Sequence, residues 1–275
     1  MRILLIAATV ALCTPLHGHL AAAQERTPRA SASVLSEHHL EALQSMPPQQ
    51  QAELLLERAI NRYRGANEEI MARAPRWFGQ IARTERLESL FRMAINSDDM
   101  RVRVAAIEVN VSARGLSRES ATIDRLEPAA LTGAQGPRAN ALWDIGLLGN
   151  RGIQPARAFE IISGSLRDEN VNIRYWAVES LAFLGTDEVI EPLLDILHDD
   201  TSAMIRERAA CSLAQSGMLK EEQRWRAVPR LLDYAGDYSL DQTTRGWVFQ
   251  ALRDITGQTL PPDASAWRVW YSRLR

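Results

Sequence analysis

Arginine is the residue type whose spacing most suggests a chemical role. Five arginines stand at corresponding positions of a repeated pattern, 35, 36, 32 and 39 residues apart. Such a column can bind anions, or it can join neighbouring repeats by reaching an aspartate or the carbonyls at a helix end. We predict the second, structural role. The column consists of Arg103, Arg138, Arg174, Arg206 and Arg245.

Residues for metal or nucleophilic chemistry are scarce. Beyond the first 23 residues the histidines are His38, His39 and His198, and the cysteine is Cys211. A metal site needs three or four converging ligands, and Cys211 has no neighbouring base that would activate it. The sequence also has no CxxC pair, HExxH motif, phosphate-binding glycine loop or GxSxG turn. We therefore expect no catalytic residue, no cofactor and no metal, and we expect the protein not to be an enzyme.

The first 23 residues have the layout of a secretory signal peptide. Arg2 precedes an uncharged apolar run from Ile3 to Cys13, and three alanines end at Ala23. This layout predicts cleavage before Gln24 and a secreted or periplasmic protein. An uncleaved anchor and a lipoprotein modified on Cys13 are alternatives, although Leu12 is large for the residue that precedes a lipidated cysteine. No later stretch approaches the length of a membrane span.

Composition is that of an ordinary globular protein. The 275 residues include 32 Lys plus Arg and 34 Asp plus Glu, for a formal net charge of −2, with 46% hydrophobic residues. Near-balanced charge argues against a protein that coats nucleic acid. We divide the chain into a signal peptide (1–23), a flexible lead with a short helix (24–47), atypical N-terminal helices (48–97) and repeats with a C-terminal capping helix (98–275).

The repeat unit begins with the column arginine. A small or β-branched residue follows at +3, a large apolar residue at +7 and glycine at +11 or +12, as in Arg174, Ala177, Leu181 and Gly185. The first copy is weaker, because Asn110 takes the place of the large apolar residue. Between these segments, prolines recur at intervals of 37 residues, at Pro155, Pro192 and Pro229.

Each copy therefore predicts a helix A that ends at glycine and a helix B that opens near proline, where the missing N–H costs nothing. Asp168, Asp200 and Asp241 are expected to cap the following A helices. No segment alternates with a period of two, so we predict an all-α fold. Paired helices of this length bury both faces only by stacking, which predicts a right-handed α-solenoid of about five to six helical hairpins.

The pattern resembles the HEAT repeat, and in particular the bacterial kind also found in phycobilisome lyases. The segment from Asp168 to Leu181 is close to the family pattern, and residues 252–257 and 263–271 resemble its terminal cap. The resemblance implies a helical superhelix. It is a poor guide to function, because this repeat serves scaffolds, adaptors and a few enzymes.

We expect a non-catalytic scaffold that binds another protein or peptide, and not nucleic acid, on its concave face. Solenoids usually present their B helices on that face, where positions outside the apolar stripe are free to contact a partner. A chromophore lyase of the HEAT-repeat type and a HEAT-like nucleic-acid binder are the alternatives. The partner-contact candidates are Arg157, Glu160, Glu191, Asp195, Arg230 and Asp233.

Overall fold

The computed structural model describes residues 33–274, and within them every named element is helical. An isolated β-bridge joins Val34 to Arg64. The predicted signal peptide, its cleavage site and the start of the lead lie outside the described residues. The α-helices are α1 (Glu37–Ser45), α2 (Pro48–Ile60), α3 (Ala66–Arg73), α4 (Glu85–Ile95), α5 (Met100–Ala113), α6 (Ser120–Thr132), α7 (Gln135–Asn150), α8 (Pro155–Ser163), α9 (Val171–Leu184), α10 (Ile190–Asp199), α11 (Ala203–Ala214), α12 (Glu221–Arg224), α13 (Val228–Ala235), α14 (Gln242–Thr256) and α15 (Ala264–Ser272).

The N-terminal helices form an irregular group. Helix α1 occupies the segment in which the sequence predicts a short helix, and α2 packs against α3, α4 and α5. The side chain of Thr84 accepts a hydrogen bond from the N–H of Leu87 at 3.1 Å and so caps α4. This group leads into the regular repeats at α5.

From α5 onward the helices stack as an α-solenoid. Helices α5, α7, α9, α11 and α14 are the A helices, and α6, α8, α10, α13 and α15 follow them as B helices. Consecutive A helices pack on one another, the B helices α6, α8, α10 and α13 lie against A helices, and α15 packs on α13. The second half of α9, residues 177–184, is buried throughout. By contrast, α10 is amphipathic and buries the predicted stripe of Ile190, Leu193, Leu194 and Leu197.

Successive A helices form the more closely packed layer of the stack. Consecutive A helices from α7 to α14 contact one another more extensively than consecutive B helices do. The position of the B helices on a concave face stays a prediction, whereas the close packing of the A helices is established by their contacts. One cause is a glycine: a Cβ on Gly146 of α7 would lie 2.7 Å from the carbonyl oxygen of Ser180 in α9. Only glycine allows this approach without a shift.

Two of the three aspartates that the sequence predicts as N-caps do not occupy the N-cap position. The N-cap of α9 is Asn170 and that of α11 is Ser202, so Asp168 and Asp200 lie two residues further upstream. Their carboxylates instead accept hydrogen bonds from the N–H groups of Asn170 and Ser202, each at 2.8 Å. Asp241 does cap α14, through the N–H of Thr244. Within residues 33–274, no helix has the length and apolar content that crossing a bilayer requires.

Candidate functional site

Three column arginines bind the aspartate that precedes the next A helix. Arg174 holds Asp200 through two hydrogen bonds of 2.8 and 3.0 Å. Arg206 pairs with Asp241 at 2.8 Å, and Arg138 pairs with Asp168 at 2.5 Å. Each of these aspartates also accepts a backbone N–H at the start of the next A helix. The arginines therefore tie the entrance of one repeat to that of the next.

The two ends of the column differ. Arg245 lies over the ring of Tyr238, with its guanidinium carbon 5.3 Å from the ring centroid. Arg103 has no aspartate to reach, because α7 is preceded by Ala134 at its N-cap. Its Nη1 instead donates to the carbonyls of Gln215 and Gly217, more than 110 residues along the chain. The first repeat therefore contacts the fourth directly.

The predicted partner-contact residues of α10 and α13 pair with each other. Arg230 contacts Glu191 at 2.5 Å and Asp195 at 3.1 Å. On the following turn, Asp233 lies 3.9 Å from Arg268 of α15. These contacts cross between adjacent B helices. Charged side chains that the sequence predicts to be available to a partner are therefore already paired within the protein.

The candidates of α8 are also engaged. Arg157 contacts Glu160 on its own helix at 3.1 Å and Glu127 of α6. Its hydrogen bonds to Glu127 and Glu160 raise the pKa of Arg157. All six predicted residues thus lie on the B-helix layer, in charge pairs within or between repeats.

An aromatic cluster crosses the A helices α7 and α9. Trp143 packs edge-on against Trp176 and Phe183, with ring centroids 5.9 and 4.9 Å apart, and Tyr175 packs edge-on against Trp176 at 5.7 Å. Trp143, Tyr175 and Trp176 are partly exposed, whereas Phe183 is buried. Edge-on packing fixes the orientation of these rings. The A layer thus presents a rigid aromatic surface, which we call the aromatic shelf.

Buried carboxylates also lie on the A helices α5 and α7. Glu108 of α5 pairs with Arg118 and Arg151, and Asp144 of α7 pairs with Arg114. Each carboxylate is almost fully buried. Burial raises the pKa of Asp144, and Arg114 opposes that rise.

A third buried carboxylate lies next to Tyr175. Glu179 of α9 pairs with Arg208 of α11. Burial raises the pKa of Glu179, and the charge of Arg208 opposes that rise. Burial, followed by the nearby carboxylate of Glu179, raises the pKa of Tyr175 to about 12. Like any tyrosine at physiological pH, Tyr175 is a neutral hydroxyl that can donate or accept a hydrogen bond.

Sequence reasoning missed this face. Glu108, Trp143, Glu179 and Cys211 all stand five residues after a column arginine. A charged residue within an otherwise apolar A helix is the signal that could have drawn attention to the position. The expectation that B helices line the concave side placed the predicted partner contacts on the B-helix layer instead.

The residues for metal or nucleophilic chemistry lie in different places. Among the described residues, no group of three or more His, Cys, Asp or Glu side chains could hold a metal ion. His198 lies between Asp199 and Asp237 and packs against the ring of Tyr234. Cys211 is partly exposed, with its sulfur 3.8 Å from a guanidinium nitrogen of Arg208.

The central repeats are similar to a known family. Residues 131–214 match the family model of HEAT repeats. This segment runs from the end of α6 to the end of α11 and includes the aromatic shelf. A solved structure of an engineered protein aligns at 14% identity with a TM-score of 0.38, covering 76% of this chain and 96% of that one. No curated protein matches the chain.

Proposed function

We propose that this protein is a non-catalytic HEAT-repeat scaffold, exported from the cytoplasm, that binds another polypeptide on its A-helix face. The observation that carries the proposal is the aromatic shelf. Trp143, Tyr175 and Trp176 are held rigidly on adjacent helices yet remain partly exposed. Rings that are already ordered lose little entropy on binding, and Trp and Tyr are enriched among the residues that dominate binding energy.

The surroundings of the shelf favour a polypeptide segment as ligand. The Tyr175 hydroxyl remains protonated, so it can donate to or accept from a peptide group. The tryptophan rings offer apolar area for a side chain. A polypeptide supplies both kinds of group in one extended segment. We expect its apolar side chain to pack on Trp143 and Trp176 and its backbone to bond near Tyr175.

The B-helix layer is the less suitable surface. Arg230 already contacts Glu191 and Asp195, and Arg157 already contacts Glu160. A partner that recruits these charges must first break contacts between them. Exposed ion pairs of this kind contribute little to stability and little to affinity.

Binding is tested with a purified partner. The chain from Gln24 onward serves as bait in an extract of the exported fraction, and each recovered protein is purified and titrated against the bait. We expect Trp176→Leu and Tyr175→Ser to weaken binding at least about tenfold, as loss of a dominant contact does. Arg230→Gln, on the B layer, is the matched control and should leave affinity nearly unchanged. Circular dichroism confirms that each variant is folded.

Three outcomes would contradict the proposed binding face. The first is the absence of any partner that binds saturably. The second is a partner whose affinity falls with Arg230→Gln and not with the shelf variants, which would return the site to the B layer. The third is salt-sensitive binding to duplex DNA, which would favour the nucleic-acid alternative.

Export has a test of its own. The mass of the protein recovered from its native cell should correspond to a chain that begins at Gln24. A chain that begins at Met1 and stays with the cytoplasmic fraction would refute export and leave the binding proposal standing.

A further inference from the structure

Two arginine side chains meet at the end of α11. Nη1 of Arg103 donates to the carbonyls of Gln215 and Gly217, at 3.1 and 2.6 Å. Nη2 of Arg224 donates to the carbonyl of Ser216, at 2.9 Å. Because these three carbonyls are consecutive, the two guanidinium groups lie beside each other. One belongs to the first repeat and the other to the fourth.

Neither guanidinium forms an ion pair with a carboxylate among the described residues, although the charge of Asp98 acts on Arg103 and opposes the lowering of its pKa. Arg103 completes its bonds with Nε on the carbonyl of Ser97, and Arg224 uses the carbonyls of Leu213 and Leu219. Burial lowers the pKa of Arg224 to about 10, and the like charge of Arg103 contributes to that shift. Burial also lowers the pKa of Arg103. Two desolvated cations next to each other are costly unless negative charge compensates them.

Both arginines line one cavity of about 420 Å³. The hydrogen bonds of Arg103 use Nε and Nη1 and leave its Nη2 without an acceptor in the described part of the chain. Arg224 has five N–H groups and makes four hydrogen bonds. Donors of both arginines therefore remain for a ligand.

The acidic residues around the cavity are mostly engaged. Asp98 pairs with Arg62 at 2.9 Å. Asp254 accepts hydrogen bonds from Gln215 and Gln250 at 2.6 and 2.8 Å, and burial raises its pKa. Glu221 is the third carboxylate of the lining and is exposed. These carboxylates limit how much negative charge a bound anion can carry. They still leave the cavity able to accept an anion.

We propose that this cavity binds an oxyanion, the phosphate or carboxylate group of a small ligand, between Arg103 and Arg224. The bound group takes the free donors of the two arginines, and planar guanidinium groups suit such oxygens. It also holds the first repeat against the fourth. The site is independent of the aromatic shelf and of any polypeptide partner.

The test is thermal unfolding of the purified protein in inorganic phosphate, in acetate and in sodium chloride, at matched ionic strength. We expect phosphate or acetate to raise the melting temperature saturably above the chloride reference, since a ligand stabilises the state that binds it. A response to phosphate alone assigns a phosphate ligand, and a response to acetate assigns a carboxylate. Calorimetric titration gives the affinity.

The variant Arg103→Gln should lower that affinity at least about tenfold, because it removes one of the two cations. Arg226→Gln is the matched control, since Arg226 is exposed, pairs with Asp187 and does not line the cavity. If Arg103→Gln does not fold, Arg103→Lys replaces it, since lysine keeps the charge and lacks the planar group of donors. Anion responses equal to chloride, or an unchanged affinity in a folded Arg103 variant, would overturn the site. The arginines would then serve only to cap α11.

Discussion

Arg174 and Asp200 form a two-point contact between the third and fourth repeats. Nε of Arg174 donates to Oδ2 of Asp200 at 2.8 Å, and Nη2 donates to Oδ1 at 3.0 Å. The side chains are only 12% and 4% exposed. Oδ1 of Asp200 also accepts the N–H of Ser202 at 2.8 Å. A single carboxylate thus joins two repeats and orders the start of α11.

Asp200→Asn should therefore destabilise the protein strongly. The substitution leaves Arg174 buried without its counter-charge, and breaking a buried pair in this way costs about 3–5 kcal/mol. Denaturant unfolding measures the change. Asp98→Asn is the matched control, because the Asp98–Arg62 pair is exposed and such pairs contribute less than about 1 kcal/mol. Equal effects of the two substitutions would show that burial does not set the strength of the repeat contact.

Glycine substitutions separate backbone conformation from close packing. Gly217 has a φ of +72°, and a Cβ there would overlap the carbonyl of Ala182 in the neighbouring repeat. Gly115 has a similar φ of +64° and nothing within 4 Å of a Cβ. We expect Gly115→Ala to cost about 1–2 kcal/mol from conformation alone. Gly217→Ala should cost at least about 1 kcal/mol more, from overpacking. Similar losses in denaturant unfolding would mean that Ala182 moves aside freely.

The His198 contacts should make stability depend on pH. Burial lowers the pKa of His198, but hydrogen bonds to Asp199 and Asp237 outweigh it, so the net shift is upward from 6.5. In the reverse direction, hydrogen bonds from His198 and Ser239 lower the pKa of Asp237 from 3.8 to about 2. The charged pair therefore stabilises the fold most between pH 3.8 and pH 6.5. This stabilisation is lost as pH rises through the folded pKa of His198, or falls through that of Asp237.

His198→Gln tests this dependence. The melting temperature of the variant should lie furthest below that of the parent protein between those two pH values, and the gap should narrow toward pH 8.5, about two units above the ordinary histidine pKa. A gap that stays constant across this range would show that His198 acts by packing on Tyr234 alone.

Removing one charge of the Glu179–Arg208 pair should destabilise the protein, whereas replacing both residues with apolar ones should change its stability little. Both side chains are largely buried. Arg208→Leu alone leaves Glu179 without its counter-charge, and we expect a loss of about 3 kcal/mol or more. The double variant Glu179→Leu/Arg208→Leu removes both charges and should recover most of that loss, since apolar pairs substitute well for buried ion pairs. Denaturant unfolding of the two single variants and the double variant completes the cycle. Additive losses would mean that the two charges do not interact.

The repeat architecture follows from local patterns, which is why the sequence predicts it. The spacing of Arg174, Ala177, Leu181 and Gly185 is set within one helix, and the structure places these residues in α9 and at its C-terminal glycine. Prolines at the starts of α8, α10 and α13 likewise act on their own backbone. Three of the five column arginines reach the next repeat because an aspartate precedes the A helix that follows.

The candidate sites depend on contacts between separate helices, which the spacing of residues along the sequence does not reveal. The close approach of α7 to α9 depends on the contact of Gly146 with Ser180, which is not part of the repeat pattern. The contact of Arg103 with Gly217 joins residues 114 positions apart. It arises because α7 begins after Ala134, so that Arg103 lacks a local aspartate.

The long-range contact of Arg103 with Gly217 changes the order in which the repeats should unfold. An array held only by neighbour-to-neighbour contacts can fray from its terminal repeats inward. Here, peeling away α5 also strips hydrogen bonds from the loop after α11. The first four repeats should consequently open as one cooperative block, and amide hydrogens in α5 should exchange with solvent as slowly as those in α9.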